Sequence, residues 1–221
     1  MKKLFVGLIV TLLVATAFAS TVLAKPKEPL DSITFIHYKD GRTRVIPAAA
    51  PLCYKLLGIK WKSLPVSYVI HTSLDADAIV ASTKEWDDHT SAYLFNGYIT
   101  DDSANFDDSS DGRNEYSYGD YPQSGVIAVT RVWYTRAGKK IVEYDVMFDT
   151  DFTWGDATQN PTVMDLQNIA THETGHGIGL ADVYNSACSA VTMYGYSWEG
   201  DIGKRTLEQP DITGLQKLYG A

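Results

Sequence analysis

Residues 172 to 182 read His-Glu-Thr-Gly-His-Gly-Ile-Gly-Leu-Ala-Asp, a run in which metal ligands, a base and a chain reversal fall at usable spacings. On a helix, positions i and i+4 project from one face, so His172 and His176 can offer two imidazole nitrogens to one metal ion. Glu173 follows the first histidine directly and can polarise a water beside the same ion. Gly179 offers a place to end the helix and turn the chain, because glycine reaches positive φ at little cost. Asp182 falls three residues later, where a returning chain can supply a third ligand. His37, His71 and His89 lie far upstream and look poorer in that role, and Glu199 or Glu208 would suit a different arrangement with its third ligand on a later helix. A bare His-Glu-x-x-His also arises by accident, so the elements around it decide its weight.

Those elements can be read from periodicity. Asn160-Pro161 predicts the start of the helix that carries both histidines, with Asn as cap and Pro at the first helical position; the helix should end near Gly177 or Gly179. PVSYVIH at 65–71 alternates and is rich in β-branched and aromatic residues, which predicts a strand. Ala76, Ile79, Val80, Thr83 and Trp86 then recur at helical spacing, with Ser73 or Asp75 as cap and His89 at the far end. GVIAVTRVWY at 125–134 and KIVEYDVMFD at 140–149 predict two strands joined through TRAGK as a hairpin. In QPDITGLQKLYG, Pro210 marks a helix start, and Ile212, Leu215, Leu218 and Tyr219 form its apolar stripe. Asp101, Asp102, Asp107, Asp108, Asp111, Glu115 and Asp120, set among Ser, Asn and Gly, give residues 101–121 loop composition. Residues 25–60 are dotted with Lys and Pro and read as an extension with one strand, Ile33 to Tyr38. Strands with one helix among them and two helices late predict an α+β domain with a twisted sheet, and no internal repeat appears.

The chain has 221 residues, 45% hydrophobic and 21% charged, the profile of a globular protein with one domain and a short extension. After Lys2 and Lys3 runs LFVGLIVTLLVATAFASTVLA, apolar and ending in small residues, which is the order of a secretory signal over residues 1–24. Cleavage can follow Ala19 or Ala24, and without cleavage the same stretch would serve as a cell-surface anchor. With no second run of that length, the rest is expected to be secreted or extracytoplasmic, without stable membrane insertion. A net charge of −8 and the absence of any arginine cluster argue against nucleic acid as a partner. Acidity is compatible with Ca2+ binding, with a solvated surface as the commoner explanation. Cys53 and Cys188 are the two cysteines, and in an exported protein they most simply form one disulfide.

Val191-Thr192-Met193-Tyr194-Gly195 follows Asp182 within about a dozen residues. Together with the histidine run, it resembles the metzincin metallopeptidases, His-Glu-x-x-His-x-x-Gly-x-x-His followed by a Met-turn, and within them the matrixin-like branch. The resemblance spans roughly Trp61 to Ala221: KWKSLPVSYVI resembles the first strand, VIAVTRVWY the edge strand, IVEYDVMFDTDFTWG the strand after it, and QPDITGLQKLYG the closing helix. It implies a metzincin-like α+β domain over residues 61–221, with a twisted mixed sheet, three main helices, and Met193 as an apolar floor beneath the metal. Residues 25–60 would then be an N-terminal extension or short propeptide. One position departs: Asp182 stands where the third histidine is usual, as in the snapalysin-like metzincins, and a carboxylate oxygen is an accepted zinc ligand. Gly179 and Met193 argue against Glu199 or Glu208 in that role.

The resemblance implies a zinc endopeptidase in which His172, His176 and Asp182 hold one Zn2+, a metal-bound water attacks, and Glu173 acts as general base. The protein or peptide substrate would lie extended and antiparallel to the edge strand at about 125–134. Matrixins often hold a propeptide cysteine on the zinc as a latency switch; this chain has Pro51-Leu52-Cys53-Tyr54-Lys55 in place of the usual motif, so Cys53 is open to that role or to a bridge with Cys188. Ca2+ candidates are the 101–121 loop and Asp149, Asp151 and Asp156. Tyr194 and Tyr196 are candidates for the wall of the pocket beyond the scissile bond, though core packing explains aromatics equally well. A monomer is expected, although no residue pattern fixes the oligomeric state. The competing expectation is a non-catalytic, metal-stabilised exported binding protein on the same frame; an intact Glu173 argues against it, since a structural zinc site needs no such carboxylate.

Overall fold

A computed structural model describes residues 28–40 and 52–221; the apolar run at 4–24 read as an export signal lies outside the described residues. The elements run β1 (Leu30–Lys39), β2 (Lys55–Leu56), β3 (Val66–Ile70), α1 (Ala76–Asp87), β4 (Phe95–Thr100), β5 (Glu115–Gly119), β6 (Val126–Thr135) and β7 (Lys140–Asp149). Then follow β8 (Trp154–Gly155), β9 (Met164–Asp165), α2 (Leu166–Gly177), β10 (Leu180–Ala181), β11 (Tyr196–Ser197) and α3 (Gln209–Tyr219). This is the expected α+β architecture, a mixed sheet with three helices. No helix among the described residues is long and apolar enough to cross a membrane.

Seven strands form one sheet in the order β11-β1-β6-β7-β5-β3-β4. The β6–β7 hairpin forms as predicted, and both strands are almost wholly buried, Glu143 and Asp145 of β7 included. β5 pairs parallel with both β7 and β3, and β4 extends the sheet beyond β3. The acidic stretch at 101–121 is therefore not all loop. Residues 115–119 carry Tyr116 and Tyr118 into the core layer, and the surrounding Asp and Gly masked the short strand.

The expectation that residues 125–134 form a sheet edge is overturned. β1 pairs antiparallel along β6 from Leu30↔Thr135 to Tyr38↔Val126, and short β11 lies beyond it. The described residues of 25–60 thus contribute two strands, since β2 also pairs with β10. The strand expected at 33–38 exists and is longer.

The core lies between sheet and helices, where Trp86, Tyr116, Tyr144, Phe148, Ile127, Met164 and Ile169 are fully buried. Asp75 caps α1, its side chain accepting from Asp77 N at 3.0 Å. Three contacts fix α2 against its neighbours. Trp86 Nε1 donates to Thr171 O at 2.8 Å, Tyr116 and Thr174 share a hydroxyl hydrogen bond at 2.8 Å, and Trp61 Nε1 donates to Gly177 O at 2.9 Å.

Candidate metal centre

The helix bearing the site begins later than Asn160-Pro161 suggested. Asn160 Oδ1 accepts from Thr162 N at 3.1 Å, so it caps a local turn, and the N-cap of α2 is Asp165. The fully buried Asp165 carboxylate accepts from Asn168 N and Ala157 N, both at 2.8 Å, and pairs with Arg205. At its other end α2 stops at Gly177 as expected. Gly179 turns the chain with φ +106, and an added Cβ would lie 2.5 Å from Ile59 O, so conformation and space both require glycine there. β10 then delivers Asp182 beneath the helix face.

His172 Nε2 stands 3.1 Å and His176 Nε2 3.4 Å from Asp182 Oδ1. The other ring nitrogens face backbone carbonyls: His172 Nδ1 donates to Thr192 O at 2.7 Å and His176 Nδ1 to Leu180 O at 3.0 Å. Each Nε2 therefore presents its lone pair toward the carboxylate, the arrangement a metal ligand needs. Two vertices of a tetrahedron with bonds of about 2.1 Å lie roughly 3.4 Å apart, and the two nitrogen-to-oxygen separations are close to that spacing. His172 Nε2 and Asp182 Oδ1 are both buried without a hydrogen-bond partner, a costly state that a shared cation relieves. The donor set of two imidazoles and one carboxylate fits zinc.

Charge follows the same geometry. Burial, with Lys204 adding, pushes His172 down to about 3, so it stays neutral. Burial would also lower His176, but the adjacent Asp182 carboxylate outweighs it and the net shift is upward. Asp182 resists its own burial because the two histidines pull its carboxyl well below the usual range. Burial lifts Glu173 to about 7. Its Oε2 accepts from Thr130 Oγ1 of β6 at 2.5 Å, and its Oε1 accepts from His37 Nδ1 of β1 at 2.9 Å.

Met193 is fully buried, and a Cβ at Gly175 would collide with its Sδ, which places the thioether against the histidine-bearing helix turn. The backbone of Thr192 and Met193 is clamped from α3: Asp211 accepts from Thr192 N at 2.8 Å and Met193 N at 3.2 Å while completing the α3 capping box. Cys53 and Cys188 form a disulfide, so the Cys53 sulfur is engaged away from the histidines.

Four groups at the site were not foreseen. His37 seemed too far upstream, yet its ring centroid is 4.1 Å from that of His172. Phe35 stacks on His176 at 3.9 Å with the planes 7° apart. Lys204 is buried, which lowers it to about 8, and donates to Tyr194 O and to His37 Nε2 at 3.2 Å. Tyr184 Oη donates to Asp182 Oδ2 at 3.0 Å. Of these, the strand carrying Phe35 and His37 was read from the sequence, as Ile33 to Tyr38, but its partner strand was not. Tyr194 and Tyr196 lie edge to face at 5.6 Å, and Tyr184 and Tyr196 at 5.5 Å, an aromatic group flanking Asp182.

His71 bonds Ser73 and His89 faces Glu85, both away from the centre. Glu208 is the N-cap of α3, and Glu199 pairs with Lys39. The acidic residues gather as Asp107, Asp111 and Glu115, and as Asp120, Asp149 and Asp151; Asp156 instead pairs with Arg205.

Comparison with known proteins bears on the C-terminal half. Residues 120–220 match the family model described as Matrixin. Over 77 residues the chain is 39% identical to stromelysin-1 of Mus musculus, covering 34% of this chain and 15% of that protein. It is 36% identical over 77 residues to the hatching enzyme of Paracentrotus lividus, covering 35% and 12%, and 36% identical over 84 residues to matrix metalloproteinase-25 of Homo sapiens, covering 38% and 15%. The matched span is thus a small part of each relative. The mixed sheet and three helices are consistent with a matrixin domain.

Proposed function

We propose that this chain is an exported zinc endopeptidase of the matrixin kind, with residues 1–24 as its export signal and residues 61–221 as its catalytic unit. The observation that carries the reading is the convergence of His172 Nε2, His176 Nε2 and Asp182 Oδ1 within 4.8 Å beside the buried Glu173 carboxylate. His172, His176 and Asp182 would hold one zinc ion, which when bound polarises water and the scissile carbonyl as a Lewis acid. The chain's own residues do the rest. The Nδ1–H bonds to Thr192 O and Leu180 O hold the imidazoles in register. Glu173 is near neutral in basicity through burial, suited to take a proton from the attacking water and return it to the leaving amine. Thr130 orients that carboxylate by its hydrogen bond. Asp182 carries a negative charge where a third imidazole would be neutral, which leaves more of the activation to Glu173.

Metal analysis after dialysis should find one zinc per chain, lost on Asp182→Ala, and casein hydrolysis should stop on chelation. Glu173→Ala should keep the zinc and lose at least a hundredfold in rate, the range expected for a general base. Retained hydrolysis in that variant refutes its role. Bound zinc with no hydrolysis in any form of the chain favours the metal-stabilised binding protein instead.

A further inference from the structure

The chain occupies its own cleft. β1 lies antiparallel along the whole of β6, the strand face that an extended peptide would use. Its side chains enter the metal centre rather than merely covering it. Phe35 stacks flat on the ring of His176, and His37 is buried with its two nitrogens engaged on opposite sides. Nε2 accepts from Lys204, so Nδ1 carries the proton and donates it to Glu173 Oε1. Thr130 already fills Oε2, which leaves the carboxylate with both oxygens engaged. His172 and Glu173 have no solvent exposure and His176 has 1%.

The strand is fastened at both ends. Arg136 grips Asp31 in a two-pronged ion pair at 2.6 and 2.8 Å, and Lys39 pairs with Glu199 at 2.5 Å. Tyr38 and Lys39 join β11 on the far side. No cysteine takes part.

From this we infer that β1 is an autoinhibitory strand: it blocks peptide access along β6 and ties up Glu173 through His37, so the chain is latent until residues 30–39 leave the sheet. This rests on the endopeptidase reading, whose site it closes.

The test uses the intact zinc-loaded chain and two variants. Phe35→Ala/His37→Ala removes the contacts inside the centre. Asp31→Lys/Lys39→Glu reverses only the surface ion pairs, so it keeps the core intact if the first variant folds poorly. Amide hydrogen exchange of residues 126–135, measured also without metal, should quicken at least tenfold in the first variant and several-fold in the second. Peptide hydrolysis should rise in the same order, and the Glu173→Ala comparison is then made in the more active background. Unchanged exchange in both variants shows that these contacts do not hold β1 and overturns the inference. Faster exchange with a parent hydrolysis rate that is measurable and does not rise in the variants overturns it too, since the strand then blocks nothing. If no form hydrolyses any peptide, the endopeptidase reading falls alone, and binding of a fluorescent tripeptide hydroxamate decides the rest. At least tenfold tighter binding by the first variant upholds occlusion, and equal binding refutes it.

Discussion

The fourth letter of His-Glu-Thr-Gly-His is set by packing, and Gly175→Ala measures how strongly. In a helix interior alanine is favoured over glycine by about 1 kcal/mol, so propensity alone predicts stabilisation. The surroundings oppose it. A Cβ at 175 would stand 2.8 Å from Trp86 Cζ2 and 3.1 Å from Met193 Cε, with Met193 Sδ closer still. Neither wall yields easily. Trp86 is fully buried and anchored by its bond to Thr171 O at 2.8 Å, and Met193 is fully buried on a turn clamped by Asp211. Overpacking of a close-packed site costs about 1–3 kcal/mol, and two walls closing together place this case near the top. The net expectation is a loss of about 2 kcal/mol once propensity is subtracted. For a chain of this size that lowers Tm by about 4–8 °C. Calorimetry in metal-free buffer is the assay, because bound metal would add its own stabilisation. Met193→Ala should cost less in the Gly175→Ala background than in the parent, since there it also removes one wall of the clash and leaves Trp86. A Gly175→Ala protein as stable as its parent would refute the packing argument.

Two further outcomes follow from buried groups away from the centre. Burial, reinforced by Glu143 and Glu115, raises the Asp145 carboxyl to about 9. The unfolded chain ionises that group near its ordinary value while the folded chain holds it neutral, so the stability lost grows as pH rises from about 4 toward 9. Asp145→Asn should therefore raise Tm at pH 8 and leave it unchanged at pH 3.5, and an equal gain at both pH values would contradict the sign. The Cys53–Cys188 bridge closes a separation of 135 residues. Its loss in Cys53→Ser/Cys188→Ser should cost about 4–5 kcal/mol in a denaturant melt on the chain-entropy account, and a cost under 1 kcal/mol would dismiss that account here.

How far the sequence carried this picture depends on the range of each interaction. The β6–β7 hairpin, α1 and α3 were legible because strand composition, a short connection, helical spacing and caps are local signals. The pair His172 and His176 was legible for the same reason, and Gly179 gave the turn that carries Asp182 back. The start of α2 was misplaced because Asn160 makes its capping bond within a turn, and the true cap, Asp165, is held by Arg205 forty positions away in sequence. β5 hid inside an acidic stretch because its burial comes from parallel partners on β3 and β7. The edge assignment of β6 failed for the deepest reason. It rested on a likeness to chains in which that edge is open, and strand pairing between residues 30–39 and 126–135 has no local signature.

The bridge at Cys53 has one more consequence for the strand that precedes it. Only 12 residues, 41–52, separate Asp40 from a cysteine fixed beside the Asp182 loop, so β1 cannot diffuse away after leaving the sheet. A tether of that length keeps a released segment at an effective concentration on the order of millimolar. Any free ligand for the β6 face competes against that internal supply, and its apparent affinity for the intact chain is reduced by the fraction of molecules in which the face is vacant. Cutting the chain anywhere between Asp40 and Cys53 would remove the supply while leaving β2, the bridge and the metal centre covalently whole.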